Sequence, residues 1–261
     1  MHLHQGPIDL IIEAFGPGAE TSYGRAAARF RPLLTDLARE LPDLRRPITD
    51  RPCLEGPIAS AMAEAVLPFA PEFVTPMAAV AGAVADYVLA AVAETPGVSK
   101  AYVNNGGDVA FFLTAGASFN AGLFAEQPGA FQVRHSDPSR GVATSGWRGR
   151  SHSLGIADAV TVLAKTAAAA DVAATLIANA VDLPGSAKVL RAPASDLSPD
   201  SDLGGRMATI DVGALTDQET AEALDAGVAY AGAVLTRGLI HQAALQLNGE
   251  VRVVGDAAVL R

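Results

Sequence analysis

The stretch PMAAVAGAVADYVLAAVAETPGVSKAYVNNGGDVAFFL (76–113) decides the fold. Its alanine-rich part, roughly 76–94, predicts a long helix, which Pro96 and Gly97 close. β-Branched and aromatic residues then predict strands at 98–104 and 108–114, parted by a glycine turn at 105–107. A helix that feeds a tight hairpin favours an α+β architecture over a doubly wound sheet.

The same reading extends outward. Residues 3–15 predict a strand and 23–41 a helix, which Pro32 must kink or restart. The proline-rich segment 42–57 reads as a connector, 58–67 as helix and 67–76 as a second irregular link. Downstream, strands are expected at 117–124 and 130–135, a loop over 136–158, a strand at 159–164 and a helix at about 168–181. A surface loop over 192–206, a strand at 207–212, a short helix at 216–227 and strands at 231–240 and 248–260 complete the chain. An alanine-rich helix next to a strand occurs twice in outline, which admits an internal duplication. Length and composition suit one domain over 1–261, with two intimate halves as the alternative.

The chain carries 19 Lys and Arg against 28 Asp and Glu, a net charge of −9, which argues against nucleic acid or an anionic membrane as partner. A single cysteine, Cys53, excludes an intrachain disulfide and fits a reducing, cytoplasmic setting. Cys53 has no histidine near it in sequence and is expected to be inert. The opening MHLHQGPIDLIIEAFG has acidic residues and no basic n-region, so no signal peptide is expected. Two apolar runs, 75–94 and 165–181, each carry a central aspartate, Asp86 and Asp171, which is costly in a bilayer; both are expected to be core helices. Alanine-rich helices and the apolar composition make a homodimer plausible.

Three segments carry chemistry. In VNNGGDVAF (103–111), Gly106 and Gly107 serve either a plain hairpin or a close approach of a planar or phosphate-bearing ligand, which Asn104, Asn105 and Asp108 would orient. In GVATSGWRGRSHSLGIADAVTVLA (141–164), Thr144, Ser145, Gly146, Ser151 and Ser153 suit anion binding by small side chains and backbone N–H groups. Arg148 and Arg150 add charge suited to phosphate, or merely offset an acidic surface. His152 is the one histidine inside a motif, a candidate for hydrogen bonding or for general base work. Trp147 either stacks on a ring or packs. His2, His4, His135 and His241 are scattered, and a zinc pair at His2 and His4 is not expected. In AAAADVAATLIANAV (167–181), Asp171 sits among apolar neighbours and must have a partner. It either caps a helix N-terminus or, with Thr175 four residues on, ligates a hard cation such as Mg²⁺.

Taken in order, these segments resemble the ApbE flavin transferases, the FAD:protein FMN transferase superfamily. NNGGD (104–108) resembles their NAGGD turn, VATSG (142–146) their ATSG segment, and ADVAATLI (170–177) their ADALAT helix start. MAAVAGAVAD (77–86) is similar to their GGIAKGYAVD helix, and the likeness covers about 75–181. It is closer still to an uncharacterised prokaryotic branch, through PMAAVAGAVAD, NNGGD and SHSLGIADAVTVLA. The resemblance implies a T-fold-like, duplicated α+β arrangement, a small-molecule ligand, FAD and Mg²⁺ as cofactors, and Asp171, Thr175 and the backbone carbonyl near Val80 as metal ligands. The relatives move FMN to a threonine hydroxyl of a partner protein. Here Ala81 replaces their lysine, and SHSLGIADA lacks their Asp-Pro. Three readings follow: an enzyme acting at a phosphate of a flavin or related nucleotide, an enzyme acting on a different small metabolite, or a ligand-binding protein without turnover.

Overall fold

The structure, a computed structural model, describes residues 1–49, 52, 54–123 and 129–255. Cys53 and the end of the expected last strand, 256–260, lie outside these residues. The described elements run β1 (His2–Gln5), β2 (Ile8–Phe15), α1 (Ala19–Phe30), α2 (Leu33–Leu44), α3 (Pro57–Val66), α4 (Val80–Ala93), β3 (Lys100–Asn105), β4 (Asp108–Leu113), β5 (Ser118–Leu123) and β6 (Gly129–Arg134). They continue as β7 (Gly141–Ser145), β8 (Ala159–Ala164), α5 (Ala167–Ala180), β9 (Val189–Pro193), α6 (Ala194–Leu197), β10 (Met207–Val212), α7 (Asp217–Thr236), β11 (Gln242–Leu247) and β12 (Glu250–Gly255). The main sheet has the strand order β1-β2-β3-β4-β7-β8-β11-β12, and β5-β6 and β9-β10 form two ribbons. The pairs β1·β2, β2·β3, β3·β4, β4·β7 and β11·β12 are antiparallel. Helices with a large antiparallel sheet form the mixed class that the hairpins predict.

The chain divides into two compact units that interleave in sequence. One comprises Met1–Asn120, Gln132–Ala143 and Leu163–Val172; the other comprises Ala121–Phe131, Thr144–Val162 and Ala173–Arg261.

In the first unit, β2 reads as a half-buried strand. Ile8, Leu10, Ile12 and Ala14 are buried, while Ile11 and Glu13 face solvent. α4 packs against β3, β4 and α1. Its first turn, preceded by a 3₁₀ turn at Pro76–Ala79, lies against the start of α5 at backbone distance. A Cβ on Gly82 would fall 2.2 Å from Ala167 O and 2.6 Å from Ala168 N. A Cβ on Gly141 of β7 would fall 2.1 Å from Ala167 N. Only glycine allows these approaches. Pro76–Ala93 has the length and composition of a membrane span, yet 56% of it is buried inside the protein and it carries Asp86.

In the second unit, α7 packs on the β11–β12 hairpin. Thr216 and Glu219 form a complete capping box at its start. Lys188 reaches Glu219 at 2.6 Å and, with the cap bonds, holds that carboxyl down at about 2. The hairpin turns through Asn248 (φ 50°) and Gly249 (φ 78°), the two-residue turn that suits twisted strands.

Several expectations need correction. The strand expected over 3–15 is a hairpin, because Gly6 takes φ 59° ahead of Pro7 and turns the chain. The loop expected over 136–158 contains β7, and the region around 192–206 holds β9's last residues and α6. α7 runs to Thr236, so 231–236 is helix and not strand; small residues such as Ala231, Gly232 and Ala233 extend a helix begun by a strong cap. The single strand expected over 248–260 is the second arm of a hairpin whose first arm, β11, the sequence reading missed. Pro32 does restart the helix, dividing α1 from α2.

Glycine to alanine inside a helix normally stabilises by about 1 kcal/mol. At Gly82 the sign is expected to reverse. Gly82→Ala must displace the Ala167–Ala168 backbone and should cost about 1–3 kcal/mol, the range for overpacking. Urea denaturation of the variant beside wild type measures it; an unchanged or higher midpoint would contradict the contact.

Candidate functional site

The first N–H groups of any helix have no partner within it. In α4 and α5 each helix supplies a carboxylate to the other. Asp86 of α4 accepts Ala167 N at 3.1 Å and Ala168 N at 2.9 Å, the first two N–H groups of α5. Thr166 Oγ1 takes the third, Ala169 N, at 3.1 Å. Asp171 of α5 accepts Gly82 N at 3.0 Å and also the Ala81 N–H, at the start of α4. The two expected core helices are thus tied by the two aspartates that argue against a membrane span.

Both carboxyls sit where ionisation is costly. Burial pushes Asp86 up to about 6, against the pull of the Ala168 and Ala167 N–H groups. Asp171 is pushed well above the usual carboxylate range, first by burial and then by the negative charge of Asp108. The Gly82 and Ala81 N–H groups oppose that shift, and Asp86 adds to it. Asp171 retains some exposed surface, but the crowding of protein atoms around its carboxylate sets its behaviour.

The NNGGD hairpin is attached to the same helix start. Asn105 is buried; its Nδ2 donates to Ala81 O at 3.1 Å and its Oδ1 accepts Asp9 N at 3.4 Å. Asn105 and Asp108 face each other across the two-residue turn of Gly106 (φ 67°) and Gly107 (φ 118°). Asn104 Oδ1 closes the turn by accepting Gly107 N at 2.8 Å. Both glycines are exposed, and a Cβ on Gly107 would meet nothing within 4 Å. Their φ values account for the glycines as a hairpin, while the open face leaves room for a ligand.

The structure therefore gathers Asn105, Asp108 and Asp171 around the first turn of α4. The capping alternative for Asp171 holds, but the helix it caps is α4 and not its own. A carboxylate has about four acceptor sites, so the cap leaves capacity for a cation. Val80 precedes the two N–H groups that Asp171 accepts, and Thr175 follows Asp171 one turn later on α5. Among the described residues, no group of three His, Cys, Asp or Glu side chains is arranged to hold a metal ion. A cation here would draw on hydroxyl, carbonyl, ligand and water oxygens beside the two carboxylates.

The 141–158 segment is braced largely by its own side chains. Thr144 Oγ1 and Thr161 Oγ1 lie 2.8 Å apart. Asp158 accepts Arg148 Nε at 2.8 Å, Trp147 Nε1 at 3.3 Å and Asn248 N at 2.7 Å. The Arg148 guanidinium also lies 4.8 Å above the Trp147 ring, so Trp147 packs and Arg148 is already paired. Gly146 allows close contact with Asp158, since a Cβ would fall 2.4 Å from its carbonyl oxygen. Ser153 Oγ donates to Asn179 Oδ1 at 3.3 Å, and Leu154 N donates to the same oxygen at 2.9 Å. Ser145 is half-buried, while Arg150, Ser151 and His152 are exposed. His2 contacts Asp9, and His135 Nδ1 contacts Leu113 O at 2.8 Å. Sequence reasoning missed Asp86 as a cap, Asp158 as the hub of this segment and Asn179 as its anchor. The one available signal was for Asp86: a lone carboxylate in an apolar run needs a partner as much as Asp171 does.

These features define an α+β protein with two reciprocally capped helices and a carboxylate pair beside a glycine hairpin. A family model described as "AbpE bacteria" matches residues 1–253, and the chain belongs to that family. It is also similar to UPF0280 proteins of archaea. It is 44% identical over 132 residues to one from Methanopyrus kandleri, covering 48% of this chain and 51% of the relative. It is 39% identical over 113 residues to one from Methanothrix thermoacetophila, covering 41% and 46%. A relative from Methanococcoides burtonii is 36% identical over 113 residues, again covering 41% and 46%. The chain spans about half the length of these curated relatives.

The Asp86 shift fixes a pH dependence. Its carboxyl titrates near 3.8 when unfolded and near 6 when folded, so the folded chain holds the proton over that interval. Its contribution to stability is full below about 4 and is lost as pH rises through about 6. The difference amounts to at most about 3 kcal/mol. Chemical denaturation at pH 7 and pH 4.5 should show wild type gaining on Asp86→Asn at the lower pH. Parallel pH profiles for the two proteins would refute the shift.

Proposed function

We propose that the chain binds a nucleotide-like small molecule, with FAD as first candidate, through Mg²⁺ at Asp171, and that it transfers or hydrolyses at a phosphate. The carboxylate pair carries this reading. Asp171 is desolvated and repelled by Asp108, and a cation between ligand and protein relieves both penalties. The donor types fit a hard ion: two carboxylates, the Thr175 hydroxyl and a backbone carbonyl near Val80, with no thiol or imidazole among them. Magnesium commonly takes one or two carboxylates and completes its shell with phosphate and water oxygens. When bound, the ion would offset phosphate charge and polarise a phosphorus-bound oxygen.

The chain's own residues have separable tasks in this reading. Asn105 holds the hairpin to the first turn of α4. Gly106 and Gly107 leave the hairpin's outer face open to a flat ring or a phosphate. The Gly82 and Ala81 N–H groups fix the Asp171 carboxylate. Within the other unit, half-buried Ser145 and exposed Ser151 and His152 are separate candidates for ligand contact, His152 as a proton acceptor. A second reading, ligand binding without turnover, is favoured by Ala81, which stands where the resembled transferases carry lysine.

Incubation with FAD and Mg²⁺, followed by separation of FMN and AMP, tests the reaction. Titration calorimetry with Mg²⁺ tests the site by itself. Asp171→Ala and Asp108→Asn should each weaken Mg²⁺ binding at least about tenfold, a loss that even outer-shell partners commonly produce. Unchanged Mg²⁺ affinity in Asp171→Ala would overturn the metal site. Bound but unaltered FAD would select the second reading.

A further inference from the structure

We infer that β12 is a dimerisation edge, at which the strand pairs antiparallel with β12 of a second copy of this chain. It closes one end of the main sheet's strand order, and no described strand lies beyond it. The hairpin register shows which backbone groups of β12 point away from β11. Leu247 and Glu250 flank the two-residue turn, so they exchange hydrogen bonds, as do Leu245 with Arg252 and Ala243 with Val254 by alternation. Val251 and Val253 therefore direct their N–H and C=O groups away from β11, along the open edge, where Val251 O accepts only the exposed Arg252 guanidinium, at 3.3 Å, a contact that strand pairing would replace.

Natural edge strands are usually blunted by proline, lysine, a bulge or short length. β1, at the other end of the sheet, is four residues long. β12, EVRVVG, is six residues with no proline or lysine, and its pairing with β11 has no bulge. Its only charged side chains, Glu250 and Arg252, pair with each other. Val251 and Val253 are each 42% exposed, and they lie on the face opposite Glu250 and Arg252.

Charge selects a second copy as the occupant and sets the register. Glu250 and Arg252 pair within the strand at 2.8 Å. If Val251 lies opposite the partner's Val251, Glu250 faces the partner's Arg252, and the reciprocal pair forms by symmetry. Val251 is an outward-bonding residue, so this centre forms a hydrogen-bonded pair. Glu250 and Arg252 then fall on the closer, non-hydrogen-bonded positions. The contact is isologous, so it consumes both edges and stops at two.

Sedimentation velocity over a concentration series tests the edge. The wild-type chain should shift from monomer to dimer as concentration rises. Val253→Pro removes an outward N–H without breaking a bond to β11 and should hold the protein as monomer. Glu250→Arg sets like charges opposite each other twice and should do the same, while Glu250→Arg with Arg252→Glu should restore the dimer. Circular dichroism and thermal melting establish that each variant is folded. If Val253→Pro fails to fold, the charge series at these surface positions decides. A wild type that stays monomeric throughout overturns the inference, as does a dimer that survives Val253→Pro or Glu250→Arg. None of these outcomes depends on flavin or metal binding, so it stands or falls apart from the proposed reaction.

Discussion

The reciprocal cap between α4 and α5 is the constraint on which the first unit and its site depend. Each helix begins where the other can place a carboxylate against its free N–H groups. That geometry requires the two helix starts to touch at backbone distance, and Gly82 and Gly141 permit it. A larger residue at either glycine would separate the helix starts and leave buried N–H groups and buried carboxylates without partners. Such groups cost about 1–3 kcal/mol each when orphaned, and more when charged. The two aspartates and two glycines therefore act together.

The same arrangement explains why the site is electrostatically tense. A helix N-terminus favours a negative charge, but only partly offsets the loss of water around it. Asp86 faces two N–H groups and still titrates near 6. Asp171 has two as well, and also faces Asp108 across from the hairpin. A fold that needed only a cap could use asparagine or serine with less penalty.

Much of this was legible in the sequence, for physical reasons that differ by element. The alanine-rich helix and the NNGGD turn were readable because helix propensity and positive φ are local properties. Asp171 was readable as needing a partner because its neighbours in sequence are all apolar. The identity of that partner was not readable, since Gly82 is 89 residues away and a backbone N–H leaves no trace in composition. Asp158 failed similarly: it draws Arg148, Trp147 and Asn248 together across separations of 10, 11 and 90 residues. β11 was missed because QAALQL lacks the β-branched residues that announce a strand, and its place is set by pairing with β12 and packing under α7. The strand expected over 231–240 had apolar residues in plenty, but the capping box at Thr216 and the small residues beyond it carried the helix through.

A capping carboxylate that faces a second carboxylate would link occupancy of the proposed site to folding in one direction. A proton on Asp171 relieves the repulsion from Asp108, and a cation at the proposed site would relieve it as well. Protons and a cation would then compete for one carboxylate, so the affinity of the proposed site would rise with pH until Asp171 is ionised. Any ion bound there also strengthens the hold of α5 on α4, because it binds the folded arrangement and not the separated helices. Whatever the site holds, the carboxylate itself stays tied to the joint between the two helices.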